Sequence, residues 1–230
     1  CVEYCRQGLM DGLCFAPNNK EAMKKAGFAL HGAIDLLANF FKYEGNRGEL
    51  SVLGDVWTSR VTSHIPLKDV SAHLSVDRIL KAIDLVNQTL KRAGIANPRI
   101  AVAALNPHGG EGGTCGREEI EVIGPAVEQA KAQGVNVAGP FPADTLFIKL
   151  FNREYDAAVT MYHDQGQIAM KLKGFDNGAT VMAGLPSPVT TCSHGSAFDI
   201  AGKGIANPGA WESAYQLVVK MAKTDRLNKK

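Results

Sequence analysis

Apolar residues in this chain fall into short unbroken runs and into longer helical spacings. The runs at 99–105 (RIAVAAL) and 156–161 (DAAVTM) are too short for helices and read as buried strands. Residues 76–92 instead carry Ile79, Leu80, Ile83, Val86 and Leu90 on one helical face, with Ser75 as N-cap and Gly94 as the stop. Residues 118–133 repeat that spacing, with Ile120, Ile123, Val127 and Ala130 inward and Gly134 closing the helix. Residues 33–41 (AIDLLANFF) have the same amphipathic spacing.

Weaker signals fill the rest. Helix is expected within 1–10, 21–25, 66–74, 142–150, 164–171 and 196–201. A last helix starts at Pro208, with Trp211, Tyr215, Val218, Val219 and Met221 as its apolar positions. Strands are expected at 11–17, 50–53, 60–63, 135–138 and 180–183, and Gly54 with Asp55 could close a hairpin. Segments 27–32, 139–142 and 185–188 read as loop or turn. Strands and helices alternate, which predicts an α/β protein with a mainly parallel sheet and helices on both faces.

Composition narrows the class. A chain of 230 residues can form one large α/β unit or two modest lobes. Its 45% hydrophobic and 21% charged residues are those of an ordinary globular protein. A net charge of +2 gives no case for nucleic acid or an anionic membrane surface. No apolar run approaches the roughly 18 residues of a membrane-spanning helix. Five cysteines are scattered without a C-x-x-C pair, as expected of reduced thiols in a cytoplasmic protein. The chain opens without Met in a helical pattern, so an N-terminal segment is expected to be missing from this catalytic unit. The basic tail at 220–230 reads as a solvated end.

The candidate chemistry sits at strand ends. His64, His108 and His163 each follow a predicted strand, and such ends are where open α/β sheets build ligand sites. Three imidazoles could converge on one divalent metal, although the same spacing also describes three hydrogen-bonded structural histidines. Lys171 lies two helical turns beyond His163 and could bind an anionic group or exchange protons, or simply be solvated. Asp164 could orient an imidazole or a metal-bound water. Asp144 is a candidate catalytic carboxylate or an ordinary first-turn aspartate. His194, beside Gly195, could face a cofactor or cap a turn. No G-x-G-x-x-G fingerprint is present.

Taken together, T-S-H-I-P-L (62–67), L-N-P-H-G-G-E-G-G (105–113), G-P-F-P-A-D-T-L-F (139–147), M-Y-H-D-Q-G (161–166), K-x-x-G-F (171–175) and H-G-S-A-F-D-I-A-G-K-G (194–204) resemble the 4-hydroxythreonine-4-phosphate dehydrogenase family of pyridoxine biosynthesis. The motifs also resemble that family's relatives acting on sugar-acid phosphates. The resemblance implies an isocitrate/isopropylmalate-dehydrogenase-like α/β/α sandwich of two lobes with a cleft between them. It implies a homodimer with a shared active site, a hydroxy-acid substrate and NAD or NADP as hydride acceptor. It further implies a divalent metal (Zn, Mg, Mn or Co) held by His64, His108 and His163, with Lys171 contacting substrate and Lys171, Asp164 and Asp144 as the catalytic candidates. His194 and Gly195 fall in the segment expected to face the cofactor.

The chain departs from that family where substrate is held. A His and a Thr that contact substrate correspond to Ala33 and Ile34, and an Asn and an Arg correspond to Thr180 and Val189. Losing a fork-shaped cation weakens a phosphate or carboxylate site, so a different, less anionic hydroxy acid is expected. The product, a 3-oxo acid, could go on to lose carbon dioxide. Two rival readings are a metal-dependent hydrolase or lyase using the same histidines, and a non-catalytic ligand-binding paralogue.

Overall fold

The computed structural model describes residues 1–28, 32–174 and 176–228. Ala29, Leu30 and His31 of the expected 27–32 loop, Phe175 of the 171–175 motif, and Lys229 and Lys230 of the tail lie outside the described residues. The elements in chain order are α1 (Val2–Arg6), β1 (Leu13–Phe15), α2 (Lys20–Lys25), α3 (Ala33–Phe41), β2 (Gly48–Leu53), β3 (Val56–Arg60), α4 (Val76–Arg92), β4 (Ile100–Ala103) and α5 (Gly124–Ala132). They continue with β5 (Val137–Phe141), α6 (Ala143–Phe151), β6 (Ala157–Thr160), α7 (His163–Lys173), β7 (Ala179–Ala183), β8 (Val189–Cys192) and α8 (Gly209–Asn228). The chain forms two compact units, one of 1–54, 92–94 and 174–230, the other of 55–91 and 95–173.

In the first unit the strand order is β1-β8-β7-β2, with β1 parallel to β8 and the other pairs antiparallel. Its core gathers Cys5, Leu37, Ala38, Phe41, Met182, Leu185 and Val189. Strand β8 is absent from the sequence expectation because Thr190 and Thr191 break the apolar run. Both threonines are buried, and their hydroxyls donate to the carbonyls of Ala214 (2.8 Å) and Phe15 (2.7 Å). A buried hydroxyl that finds an acceptor inside the fold is tolerated in a core strand. On α8 the buried positions are Ala210, Ala214, Val218 and Met221, while Trp211 and Tyr215 stack on each other at the surface. Arg92 closes this unit by donating to Asp225 and to the carbonyls of Leu185 and Pro186.

In the second unit the order is β3-β6-β4-β5 and every described pair is parallel. Helix α4 has the bounds its apolar spacing predicts, and Ser75 Oγ accepts from the Arg78 N–H at 3.3 Å. Ile79, Ile83, Val86 and Leu90 have no exposed surface. Strand β3 starts before the expected 60–63 and ends at Arg60, so Thr62, Ser63 and His64 lie beyond it. Residues 66–74 form two short 3-10 turns in place of a continuous helix. β5 runs through 139–141, where a turn is expected, with a cis Gly139-Pro140 bond.

The helix expected at 118–133 is broken. Residues Glu119–Ile123 make a wider π turn before α5. Pro125 has no N–H to donate back to Glu121, which removes one rung of the α-helical ladder at this place. The register therefore changes. Ile120, expected inside, is 49% exposed, and Glu119 is buried in its stead.

Candidate active site

The second unit brings two of the three predicted histidines together. Beyond β3 and β6 the chains remain joined: the Val61 and Thr62 N–H groups donate to the carbonyls of Thr160 (2.8 Å) and Met161 (3.1 Å), and Thr62 Oγ1 also donates to Met161. His64 follows in a left-handed conformation with φ 52°, which turns it toward the head of α7. There the His64 and His163 ring centroids are 5.6 Å apart. A cavity of about 500 Å3 opens beside them, lined among others by Thr62, His64, Tyr162, His163 and Asp164. His163 is the first residue of α7, and its Nδ1 lies 2.6 Å from Asp164 Oδ1. An acceptor-only carboxylate at that distance makes Nδ1 the donor, so that in the neutral ring Nε2 is the lone-pair nitrogen.

His108 leaves the C-terminal end of β4, which is the parallel neighbour of β6. The three histidines therefore follow the carboxyl ends of three adjacent parallel strands. Among the described residues, however, no group of three or more His, Cys, Asp or Glu side chains is gathered to hold a metal ion. The donor types still suit one: two neighbouring imidazoles, one with its tautomer held by a carboxylate, are the chemistry a divalent first-row metal takes.

The turn carrying His108 has an unusual backbone. His108, Gly109, Gly110, Glu111, Gly112 and Gly113 all have positive φ, from 45° to 101°. Glycine adopts this freely, but the left-handed form costs an L-residue such as His108 or Glu111 roughly 1–2 kcal/mol each. Two neighbouring carboxylates brace the turn. Glu119 Oε1 accepts from the N–H groups of Leu105 and Asn106, both at 2.8 Å, and its Oε2 accepts from Asn106 Nδ2 at 2.9 Å. Glu118 accepts from the same Asn106 Nδ2 at 2.7 Å and from the Ser71 hydroxyl. The Ser71 hydroxyl, then Asn106, hold the Glu118 carboxyl below the usual range. Gln165 ties the two strand ends, since it accepts from the Met161 N–H and donates to the Ala104 carbonyl, both at 2.7 Å. Gln165 lies within M-Y-H-D-Q-G, and Glu118 and Glu119 follow L-N-P-H-G-G-E-G-G by five and six residues, which is the nearest signal the sequence carries for them.

Other predicted residues stand apart from the cavity. Lys171 is exposed on α7, two turns from His163, and Asp144 is exposed in the first turn of α6. Neither lines the 500 Å3 cavity.

The first unit holds the positions matched to substrate and cofactor. Ala33 opens α3 and lines an apolar cavity of about 380 Å3 with Leu13, Phe15 and Leu36, while Ile34 is half-buried against the core. Thr180 Oγ1 and Ser193 Oγ are 2.9 Å apart. Val189 has no exposed surface and belongs to the core. His194 Nδ1 lies 3.0 Å from the Gly195 carbonyl oxygen, which makes that nitrogen the donor. After it, Gly195, Gly202 and Gly204 have open space where a Cβ would stand.

Parallel strands whose carboxyl ends lead to His64, His108 and His163, the first and last of them beside a cavity, define an α/β protein of the open-sheet kind. The family described as "Pyridoxal phosphate biosynthetic protein PdxA" matches residues 1–218, and the chain belongs to it. A Rhizobium meliloti protein provisionally named 4-hydroxythreonine-4-phosphate dehydrogenase 2 is 52% identical over 225 residues, 98% of this chain and 65% of that one. The chain thus spans just under two thirds of that relative's length. The crystal structure of a Klebsiella pneumoniae 4-hydroxythreonine-4-phosphate dehydrogenase superposes with a TM-score of 0.84 at 38% identity, covering 96% of this chain and 67% of that one. A β-decarboxylating dehydrogenase from Thermococcus kodakarensis, 17% identical, covers 99% of this chain and 68% of its own with a TM-score of 0.59. That likeness shows a shared α/β fold. Among the described residues no helix is long and apolar enough to cross a membrane.

Proposed function

We propose that the chain is part of a metal- and NAD(P)-dependent dehydrogenase that oxidises a phosphorylated hydroxy acid, acting as a homodimer with a shared site. One observation carries the reading. The His64 and His163 rings lie side by side, tilted by 38°, beside a cavity, with His108 at the neighbouring strand end, in a chain of this family. His64, His108 and His163 would hold a divalent cation, which supplies Lewis-acid chemistry and makes a bound hydroxyl more acidic. His194 and Gly195 would face NAD or NADP, whose nicotinamide would supply a hydride acceptor.

The chain's own residues do the rest. Asp164 keeps the proton on His163 Nδ1 and so keeps Nε2 available as a donor atom. Asp164, which lines the cavity, is the acceptor for the hydroxyl proton, and Lys171, as a cation, suits an anionic group of the substrate. Ala33, Ile34, Thr180 and Val189 offer fewer hydrogen-bond donors than the groups they correspond to in the family. The anionic end of the substrate is accordingly held less tightly, and a hydroxy acid other than 4-hydroxythreonine 4-phosphate fits the reading. Loss of carbon dioxide from the 3-oxo product is part of the same proposal.

Nicotinamide absorbance tests this, with NAD and NADP, a divalent metal, and a panel of hydroxy acids with and without a phosphate group. Reduction is expected with at least one member. Product formed without reduction would instead indicate a hydrolase or lyase. Thermal stabilisation by panel members without any product would indicate a ligand-binding paralogue.

A further inference from the structure

The six positive-φ residues 108–113 form a left-handed turn that begins at His108 itself. Such a turn keeps its shape only if it is braced. Downstream, the Cys115 N–H donates to the Gly110 carbonyl at 3.0 Å. Upstream, the Gly109 N–H donates to the Asn106 carbonyl at 3.2 Å, and the side-chain braces on Leu105 and Asn106 run to one carboxylate and its neighbour: Glu119 takes the Leu105 and Asn106 N–H groups and the Asn106 amide, and Glu118 takes that amide again. Glu119 also backs the turn sterically, because a Cβ on Gly110 would stand 2.7 Å from its Oε2.

We propose that Glu119, assisted by Glu118, is the positioning residue that holds the His108 turn in its left-handed form and so fixes the direction in which the His108 imidazole leaves the carboxyl end of β4, where it would serve as a metal ligand. The proposal rests on the reading of His108 as a metal ligand.

The chemistry of the brace requires a carboxylate. Asn106 Nδ2 donates to both Glu118 and Glu119, so its amine end faces two acceptors and its orientation is fixed. Glu119 is therefore asked for acceptors at both oxygens: two backbone N–H groups at Oε1 and the Asn106 amine at Oε2. A glutamine in its place has one acceptor end. If its oxygen meets the backbone, its amine opposes the Asn106 amine; if it is flipped, its amine opposes two backbone N–H groups. Either way a buried donor faces a donor, two residues before His108. The π turn is what makes this possible, since it turns Glu119 inward and Ile120 outward.

The test uses the full chain as wild type, Glu119→Gln and His108→Ala, with Co2+ alone as probe. Three measurements are made: Co2+ affinity by calorimetry, the visible Co2+ spectrum, and amide exchange at Leu105 and Asn106 in metal-free protein. Glu119→Gln is expected to weaken Co2+ binding about tenfold, in the range typical of residues that orient a ligand, and to change the spectrum. It should also speed exchange at both amides about tenfold in the metal-free protein. His108→Ala is expected to lose the site while leaving those amides protected. If His108→Ala keeps wild-type affinity, the ligand reading fails and the proposal falls with it. If His108→Ala loses Co2+ while Glu119→Gln matches wild type in affinity and exchange, the positioning role alone is overturned. Should Glu119→Gln not fold, Asn106→Ala removes only the side-chain braces. It is expected to weaken Co2+ binding in the same direction by a smaller factor, and unchanged binding would refute the proposal.

Discussion

Asp156 offers a direct test of how the second unit is held. It stands immediately before β6, buried, with its side chain 10% exposed. Its Oδ2 accepts from Arg99 N (2.8 Å) and Nε (3.1 Å), and its Oδ1 accepts from Arg99 Nη2 at 2.8 Å. The Arg99 carbonyl accepts in return from the Asp156 and Ala157 N–H groups, so this pair starts the β4–β6 ladder whose other end leads to His108 and His163. Asp156→Asn keeps the shape and leaves no cavity. It keeps an oxygen in the place of Oδ2, which still accepts from Arg99 N and Nε, and turns an amine toward Nη2, so one of the three bonds is lost and the ion pair with it. Hydrogen bonds to charged groups contribute about 1.5–3 kcal/mol each when buried. Arg99 is 44% exposed and can rehydrate, which discounts the charged part. The expected loss is about 1–2 kcal/mol, or roughly 2–8 °C in melting temperature for a chain of this size.

The pH dependence follows with a definite sign. Burial pushes the Asp156 carboxyl up, but the Arg99 side-chain and backbone bonds outweigh it and hold the group below the ordinary aspartate value. A carboxyl depressed in the folded state stabilises above its unfolded pKa of about 3.9, and that stabilisation is lost as pH falls through the folded value. Urea unfolding of wild type and Asp156→Asn should therefore differ by the full amount at neutral pH and converge below about pH 4. A difference under about 0.5 kcal/mol at neutral pH, within the range of an ordinary surface substitution, would refute the assigned bonds. So would a gap that stays constant on acidification.

Two further outcomes are expected. Asp164→Ala should lower Co2+ affinity about tenfold, at the weak end of the usual range because the Asp164 side chain is 72% exposed, and a titration showing no change would remove Asp164 as the group orienting His163. Gly184→Ala should cost about 3 kcal/mol, because φ is 84° and the new Cβ would crowd the Asn46 carbonyl and stand 3.0 Å from Arg47 Cα. The control Gly54→Ala, with φ 58° and open space, should cost about 1 kcal/mol, and equal urea midpoints for the two variants would contradict the crowding argument.

Elements with a local signature were legible in the sequence. Helices α3 and α4 have the bounds their apolar spacing predicts, because a 3.6-residue period and a cap are written within one stretch of chain. The three histidine motifs were legible for a similar reason, since each joins a strand end to a turn or helix start. Features that depend on distant partners were not. Thr190 and Thr191 look polar until the Ala214 and Phe15 carbonyls take their hydroxyls. Ile120 looks inward until the π turn at Glu119–Ile123 exchanges it with Glu119. The nearness of His64 to His163 follows from the parallel pairing of β3 with β6, which neither segment encodes alone. A helix face is set by neighbours three and four positions away. Strand order and the partners of a buried carboxylate are set by whichever segments the folded chain brings alongside, and no local pattern carries that information.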